Sequence, residues 1–116
     1  MVEYLSVTHE REGALAIVHL RGRIDSATAS EFETQLGTLF ADPLDALIIE
    51  MTELDYISSA GLRVLLVVAK RAKAEGRPLV LCNLAPGIQE VFDVSGFTAI
   101  FNIATTRAEA VAHARN

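Results

Sequence analysis

Ser58 and Ser59 form a pair of adjacent hydroxyls followed by two small residues, Ala60 and Gly61, and no other segment of the 116-residue chain offers as much chemistry. An apolar run, Leu47-Ile48-Ile49, precedes them and a long helical pattern begins directly after them. They therefore fall where a strand-to-loop segment becomes a helix. The first turn of a helix leaves N–H groups unpaired and carries partial positive charge. A serine there serves as a cap. It also suits a phosphoryl group, whose negative charge a helix N-terminus accommodates.

A serine nucleophile is the other chemistry that such a pair suggests. A nucleophile elbow reads Gly-x-Ser-x-Gly at a strand-turn-helix junction. In Ile57-Ser58-Ser59-Ala60-Gly61 the second glycine matches and the first does not. Of the histidines, His19 falls in a strand pattern, and neither His9 nor His113 is accompanied by an acid placed to orient it. A small serine hydrolase is thus a remote alternative. Three scattered histidines and one cysteine give no metal-ligand spacing. The glycines form neither Gly-x-x-x-x-Gly-Lys nor Gly-x-Gly-x-x-Gly, so neither a nucleotide cofactor nor a metal is expected.

Composition narrows the classes further. At 51% hydrophobic and 22% charged residues the chain reads as globular, and its length suits one domain over 1–116. A net charge of −5 argues against nucleic-acid binding, which wants a basic face. The compact basic cluster of Arg63, Lys70, Arg71, Lys73 and Arg77 reads as the solvated side of one helix. Cys82, the single cysteine, lies in an apolar run and reads as a buried thiol in a reducing compartment. Met1-Val2-Glu3-Tyr4 is not a signal-peptide start, and no run approaches the ~18 apolar residues of a membrane span. A cytoplasmic protein without membrane association is expected.

The elements that must position the serines follow from periodicity. Strands are expected over 4–8 and 14–20, with a turn at Glu12-Gly13 and Gly22 breaking the second strand. Asp25 or Ser26 caps a helix over 27–40, which Asp42-Pro43 stops. Residues 46–50 read as a strand buried on both faces. A helix over 60–75 ends at Gly76, and a strand over 79–82 follows. Pro86 opens a helix to Val94, ended by Ser95-Gly96; a short strand over 99–103 and a helix over 107–114, capped by Thr105 or Thr106, complete the chain. Strands alternate with helices after the first hairpin, so the expected fold is α/β: a mixed, mostly parallel sheet of four to five strands with about four helices largely on one side. In the helix after the serines, Leu62, Leu65, Leu66 and Ala69 form a stripe for the sheet. Val64, Val67 and Val68 extend apolar surface beyond it, toward deeper burial or a partner.

Three segments resemble the STAS domains, and within them the bacterial anti-sigma factor antagonists. Leu20-Arg21-Gly22-Arg23-Ile24-Asp25 resembles the family's apolar-x-Gly-x-apolar-Asp element. The segment from Leu54 through Ser58-Ser59-Ala60-Gly61-Leu62-Arg63 is similar to its central Asp-Ser-Ser/Thr-Gly-Leu motif, and Val91-Phe92-Asp93-Val94-Ser95-Gly96-Phe97 to its late Phe-Asp-x-Ser-Gly element. The resemblance implies a partner-switching module without catalysis of its own. Unphosphorylated, it binds an anti-sigma factor that is also a serine protein kinase; the kinase then phosphorylates it and the complex parts; a PP2C-type phosphatase resets it. Aligning Gly61 with the motif glycine places the phosphoserine on Ser59, with Ser58 the second choice. Ser58 stands where the motif has aspartate, and Ala60 where it has a second hydroxyl. By the same resemblance Ser58, Gly61, Leu62 and Arg63 centre the partner contact, with Asp25 and Ser95, Gly96 and Phe97 at its periphery. A STAS scaffold that is never phosphorylated, assembled with a transporter or signalling complex, is the alternative.

Overall fold

The computed structural model describes residues 4–41 and 44–115. Asp42-Pro43, read above as the stop of the first helix, lies outside the described residues, as do Met1 to Glu3.

Five strands form one sheet in the order β1-β2-β3-β4-β5. They are β1 (Ser6–Glu12), β2 (Leu15–Ile24), β3 (Ala46–Ile57), β4 (Leu79–Cys82) and β5 (Asn102–Ala104). β1 pairs antiparallel with β2 through the Glu12-Gly13 turn, and the remaining pairs are parallel. The helices are α1 (Ala29–Leu39), α2 (Ser59–Ala74), α3 (Pro86–Ser95) and α4 (Arg107–Ala114). Alternation along the central strands sorts the core into two layers. Ala16, Val18 and Leu20 of β2, with Leu47, Ile49 and Met51 of β3, face α1, α2 and α3. Leu15, Ile17, Ala46, Ile48, Val80 and Cys82 face the other way, beneath Ala110 and Ala114 of α4. Burial pushes the Cys82 thiol up to about 11, so it is an inert core group. Among the described residues no helix is long and apolar enough to cross a membrane.

The strands outrun the sequence reading at the end that carries the serines. Gly22 does not break β2; the strand continues through it to Ile24, with the register against β3 slipping on either side of Gly22. Gly22 sits at φ +102°, and a Cβ there would overlap the carbonyl oxygen of Tyr4. The glycine permits a bulge and a close chain approach, not a stop. β3 likewise runs past Glu50 to Ile57, because Leu54 and Ile57 still face the core while Thr52, Glu53, Asp55 and Tyr56 face solvent. Only β2 accompanies this extension, pairing Gly22 with Leu54, Arg23 with Tyr56 and Ile24 with Ile57. β1 falls at Ser6–Glu12 rather than over 4–8. β5 starts at Asn102 and not at residue 99, because a 3-10 turn over Phe97–Ala99 takes Ala99 and the N–H groups of Ile100 and Phe101 still point back to the Phe97 carbonyl.

α2 packs on the sheet and also against its neighbour α1, which decides its valines. Its buried face comprises Gly61, Leu62, Val64, Leu65, Val68 and Ala72. Val64 and Val68 are therefore core, Leu66 and Ala69 only half-buried, and Val67 is 47% exposed. A helix that touches two neighbours buries a wider arc than a single stripe.

The bulge is testable. Gly22→Ala meets both left-handed backbone strain and the Tyr4 carbonyl. It should lower stability by about 1–3 kcal/mol, read as a lower urea midpoint at unchanged slope.

Candidate functional site

The two serines sit at the sheet's extended end and do different things. Ser58 is the N-cap of α2, with extended backbone (φ −92°, ψ 174°) and a half-buried side chain. Its hydroxyl accepts a hydrogen bond from the Gly61 N–H at 3.3 Å. Its own N–H donates to the Ile24 carbonyl at 2.8 Å, and its carbonyl accepts from the Leu62 N–H at 2.9 Å. Ser58 thus fastens the end of β2 to the start of α2 with its backbone and closes the first turn with its side chain. Ser59 is the first residue of α2 and is exposed; among the described residues its hydroxyl has no hydrogen-bond partner.

Gly61 is fixed by packing rather than by backbone angle. A Cβ there would come within 2.6 Å of Ile24 Cγ2 and 2.8 Å of Ile57 Cγ1. The first turn of α2 rests directly on the last residues of β2 and β3. Leu62 is buried behind it, and Arg63 is exposed beside it.

Asp25 follows Ile24 and therefore lies next to Ser58. Its carboxylate accepts from the N–H groups of Ala27 at 2.9 Å and Thr28 at 3.1 Å, holding the turn that leads into α1. This is why α1 starts at Ala29, two residues later than its periodicity suggests: Asp25 closes a turn ahead of the helix. Thr28, the N-cap residue of α1, is the buried polar residue that sequence reasoning missed. Its hydroxyl donates to the Arg23 carbonyl at 3.0 Å and accepts from the Asp25 N–H at 2.9 Å. Arg23 in turn lays its guanidinium 4.3 Å over the ring of Tyr56, which is 41% exposed. A shallow groove opens beside Ser59 between α1 and α2, lined by Ala29, Ser30 and Glu33 on one side and Ala60, Arg63 and Val67 on the other.

Ser95, Gly96 and Phe97 are not brought to this place. The Ser95 hydroxyl donates to the Val91 carbonyl at 2.8 Å, Gly96 closes α3, and Phe97 packs on Phe92 and Phe101. Hydrogen bonds from Thr98 and Gln89 to Asp93 add to this lock and hold the Asp93 carboxyl below its ordinary range. Phe101 lines a groove with Ala72, Gly76 and Arg77, at the opposite end of α2 from Ser59. The 16 residues of α2 put these ends ~24 Å apart. The late motif anchors a helix end; a compact contact centred on Ser59 does not include it.

The histidines are also elsewhere. His19 stands opposite Glu50 in the β2–β3 register, eight residues of β3 before Ser58 and so ~26 Å away. His113 lines the groove at the far end of α2. Neither serine has the imidazole of a nucleophile-base pair. Among the described residues no cluster of His, Cys, Asp or Glu could hold a metal ion.

Known proteins share this architecture. The STAS domain family profile matches residues 6–110. The BtrV protein of Bordetella bronchiseptica, named for an inferred role as an anti-sigma factor antagonist, is 39% identical over 108 residues, 93% of each chain. The crystal structure of an anti-sigma factor antagonist from Mycobacterium paratuberculosis superimposes with a TM-score of 0.85 at 24% identity, covering 97% of this chain and 96% of that one. The Bacillus anti-sigma factor antagonist SpoIIAA has been solved unphosphorylated (TM-score 0.78, 23% identity, 95% and 96% covered) and phosphorylated (0.68, 22%, 93% and 98%). At these identities the two solved proteins speak for the fold.

The division of labour between the serines can be measured. Ser58→Ala should cost about 1 kcal/mol of stability through the lost cap. Gly61→Ala should cost about 1–3 kcal/mol through overpacking on Ile24 and Ile57. Ser59→Ala should change stability by less than about 0.5 kcal/mol, all three read by urea unfolding.

Proposed function

This chain belongs to the STAS domain family, and from that membership we propose that it is an anti-sigma factor antagonist that works by partner switching. Unphosphorylated, it binds an anti-sigma factor that is also a serine protein kinase. Phosphorylation of Ser59 ends the complex, and a PP2C-type phosphatase restores it. The protein is substrate and competitor, and it catalyses nothing itself.

One observation carries the reading: of the two adjacent hydroxyls, Ser58 is spent on the cap and Ser59 is exposed with no hydrogen-bond partner among the described residues. A kinase needs an acceptor it can reach without unwinding a helix, and Ser59 meets that need where Ser58 does not. The α1–α2 groove beside Ser59, with Arg63 and the exposed Val67, supplies apolar surface and charge for a partner. Asp25 and Ser58 belong to the turns that open α1 and α2, and the buried Leu62 holds the first turn of α2 from beneath.

The energetics favour a change of surface charge over a change of fold. A phosphoserine adds about −1.5 to −2 charges at neutral pH. At the start of a helix this gains ~0.3–1 kcal/mol from the dipole, so the monomer tolerates it. Enclosed in an interface without a cation to pair it, the same charge costs several kcal/mol. About 1.4 kcal/mol is tenfold in affinity, so dissociation follows without unfolding. Asp25 and the exposed Asp55, on the turn and strand that lead toward this end of α2, add to the negative charge of this face.

Incubated with ATP and its cognate serine kinase, the protein should gain one phosphate by intact mass. The gain should vanish in Ser59→Ala and persist in Ser58→Ala. Phosphate retained by Ser59→Ala would move the acceptor elsewhere, and no phosphate from the cognate kinase would favour a scaffold role. A second measurement tests the charge mechanism. Ser59→Asp should keep the wild-type circular dichroism spectrum yet bind the kinase at least tenfold more weakly by calorimetry; unchanged affinity would count against it.

A further inference from the structure

The other end of α2 carries a feature that partner switching does not use. The C-terminal half of α2, the chain entering β4 and the segment before β5 enclose a groove of about 670 Å³. Its floor is aliphatic, with Leu66 and Ala69 from α2, Leu79 from β4, and Ile100. Ile100 is 55% exposed there, an unfavourable position for a large apolar side chain facing only water. The rim carries Lys70, Lys73, Arg77 and His113, and no carboxylate lines the groove.

In a chain with 15 acidic and 10 basic residues, that local excess of cations is a departure from the average surface. Arg77 is paired with Glu75 at 3.2 Å. Lys70 and Lys73 are exposed and belong to no ion pair among the described residues. The end of α2 contributes a partial charge of about −0.5, which the two lysines outweigh. The cluster thus faces an apolar trough and is more than a solvated helix side.

We propose that this groove binds a single-chain fatty acid, its alkyl chain on Leu66, Leu79 and Ile100 and its carboxylate between Lys70 and Lys73. The volume falls within the roughly 300–1,000 Å³ of small-molecule sites. The floor suits methylene groups better than a nucleobase, since Phe101 is buried and offers no face for stacking, and the other ring lining the groove, His113, stands among the cations of the rim. The cations select the head group. Because Ser59 lies at the opposite end of the same helix, the site is open whether or not a partner is docked there.

The test uses the purified full chain and no kinase, so its outcome is independent of the switch at Ser59. Decanoate, below its micelle concentration, should shift amide resonances of residues 66–79 and 100–102 saturably and leave those of residues 58–63 in place. Shortening the chain to octanoate should weaken binding about fifteenfold, at ~0.8 kcal/mol for each of the two lost methylenes. Lys70→Gln combined with Lys73→Gln, both exposed and therefore safe for folding, should weaken decanoate about tenfold. Ile100→Asp should abolish binding. Decyltrimethylammonium should not compete. Overturning results are an absence of saturable shifts, equal binding of the cationic amphiphile, or undiminished affinity in the double lysine variant. Sedimentation showing a wild-type dimer that Ile100→Asp converts to monomer would also overturn the proposal, by assigning the groove to a second copy.

Discussion

The first turn of α2 resting on the last residues of β2 and β3 is the contact on which the proposed switch depends. The Ser58 N–H reaches the Ile24 carbonyl, and Gly61 lies so close to Ile24 and Ile57 that no side chain fits between them. That contact needs both strands to extend well beyond β4, and the extension needs the bulge at Gly22. The glycine in the first resembled motif and the glycine in the second are therefore two halves of one construction. One lets β2 reach the end of the sheet, and the other lets a helix sit on it.

Once the helix is seated, the roles of the hydroxyls separate by geometry. The N-cap position orients Ser58 back toward the Gly61 N–H, while the next residue points away from the sheet. The departure from the family pattern, serine where the motif carries aspartate, then makes physical sense, because both side chains offer an oxygen to first-turn N–H groups. What this chain gives up is a fixed negative charge beside Ser59. Asp25, which the first resembled motif already contains, uses its carboxylate to hold the turn before α1.

The late motif has a set of structural contacts of its own. Ser95 returns its hydroxyl to α3, Gly96 ends the helix, and Phe97 joins Phe92 and Phe101 in an edge-packed aromatic group. These contacts set the position of Ile100 and so shape the far groove. α2 consequently presents two unlike ends, a hydroxyl and a shallow cleft at one, cations over an aliphatic trough at the other.

The sequence alone settled the order of strands and helices, the two-faced burial of residues 46–50, a threonine cap before α4 at Thr105 or Thr106, of which the structure uses Thr106, and the helix start behind the serines, since each rests on local periodicity or capping chemistry. Two hydroxyls with no histidine placed to serve them were legible as well. Tertiary structure decided the rest. The reach of β2 and β3 depends on pairing between segments some thirty residues apart, and the valine arc of α2 on the arrival of α1. The separation of Ser95-Gly96-Phe97 from Ser59 depends on which end of the sheet each helix points to. Periodicity records which face of an element is buried, but it does not record what buries it.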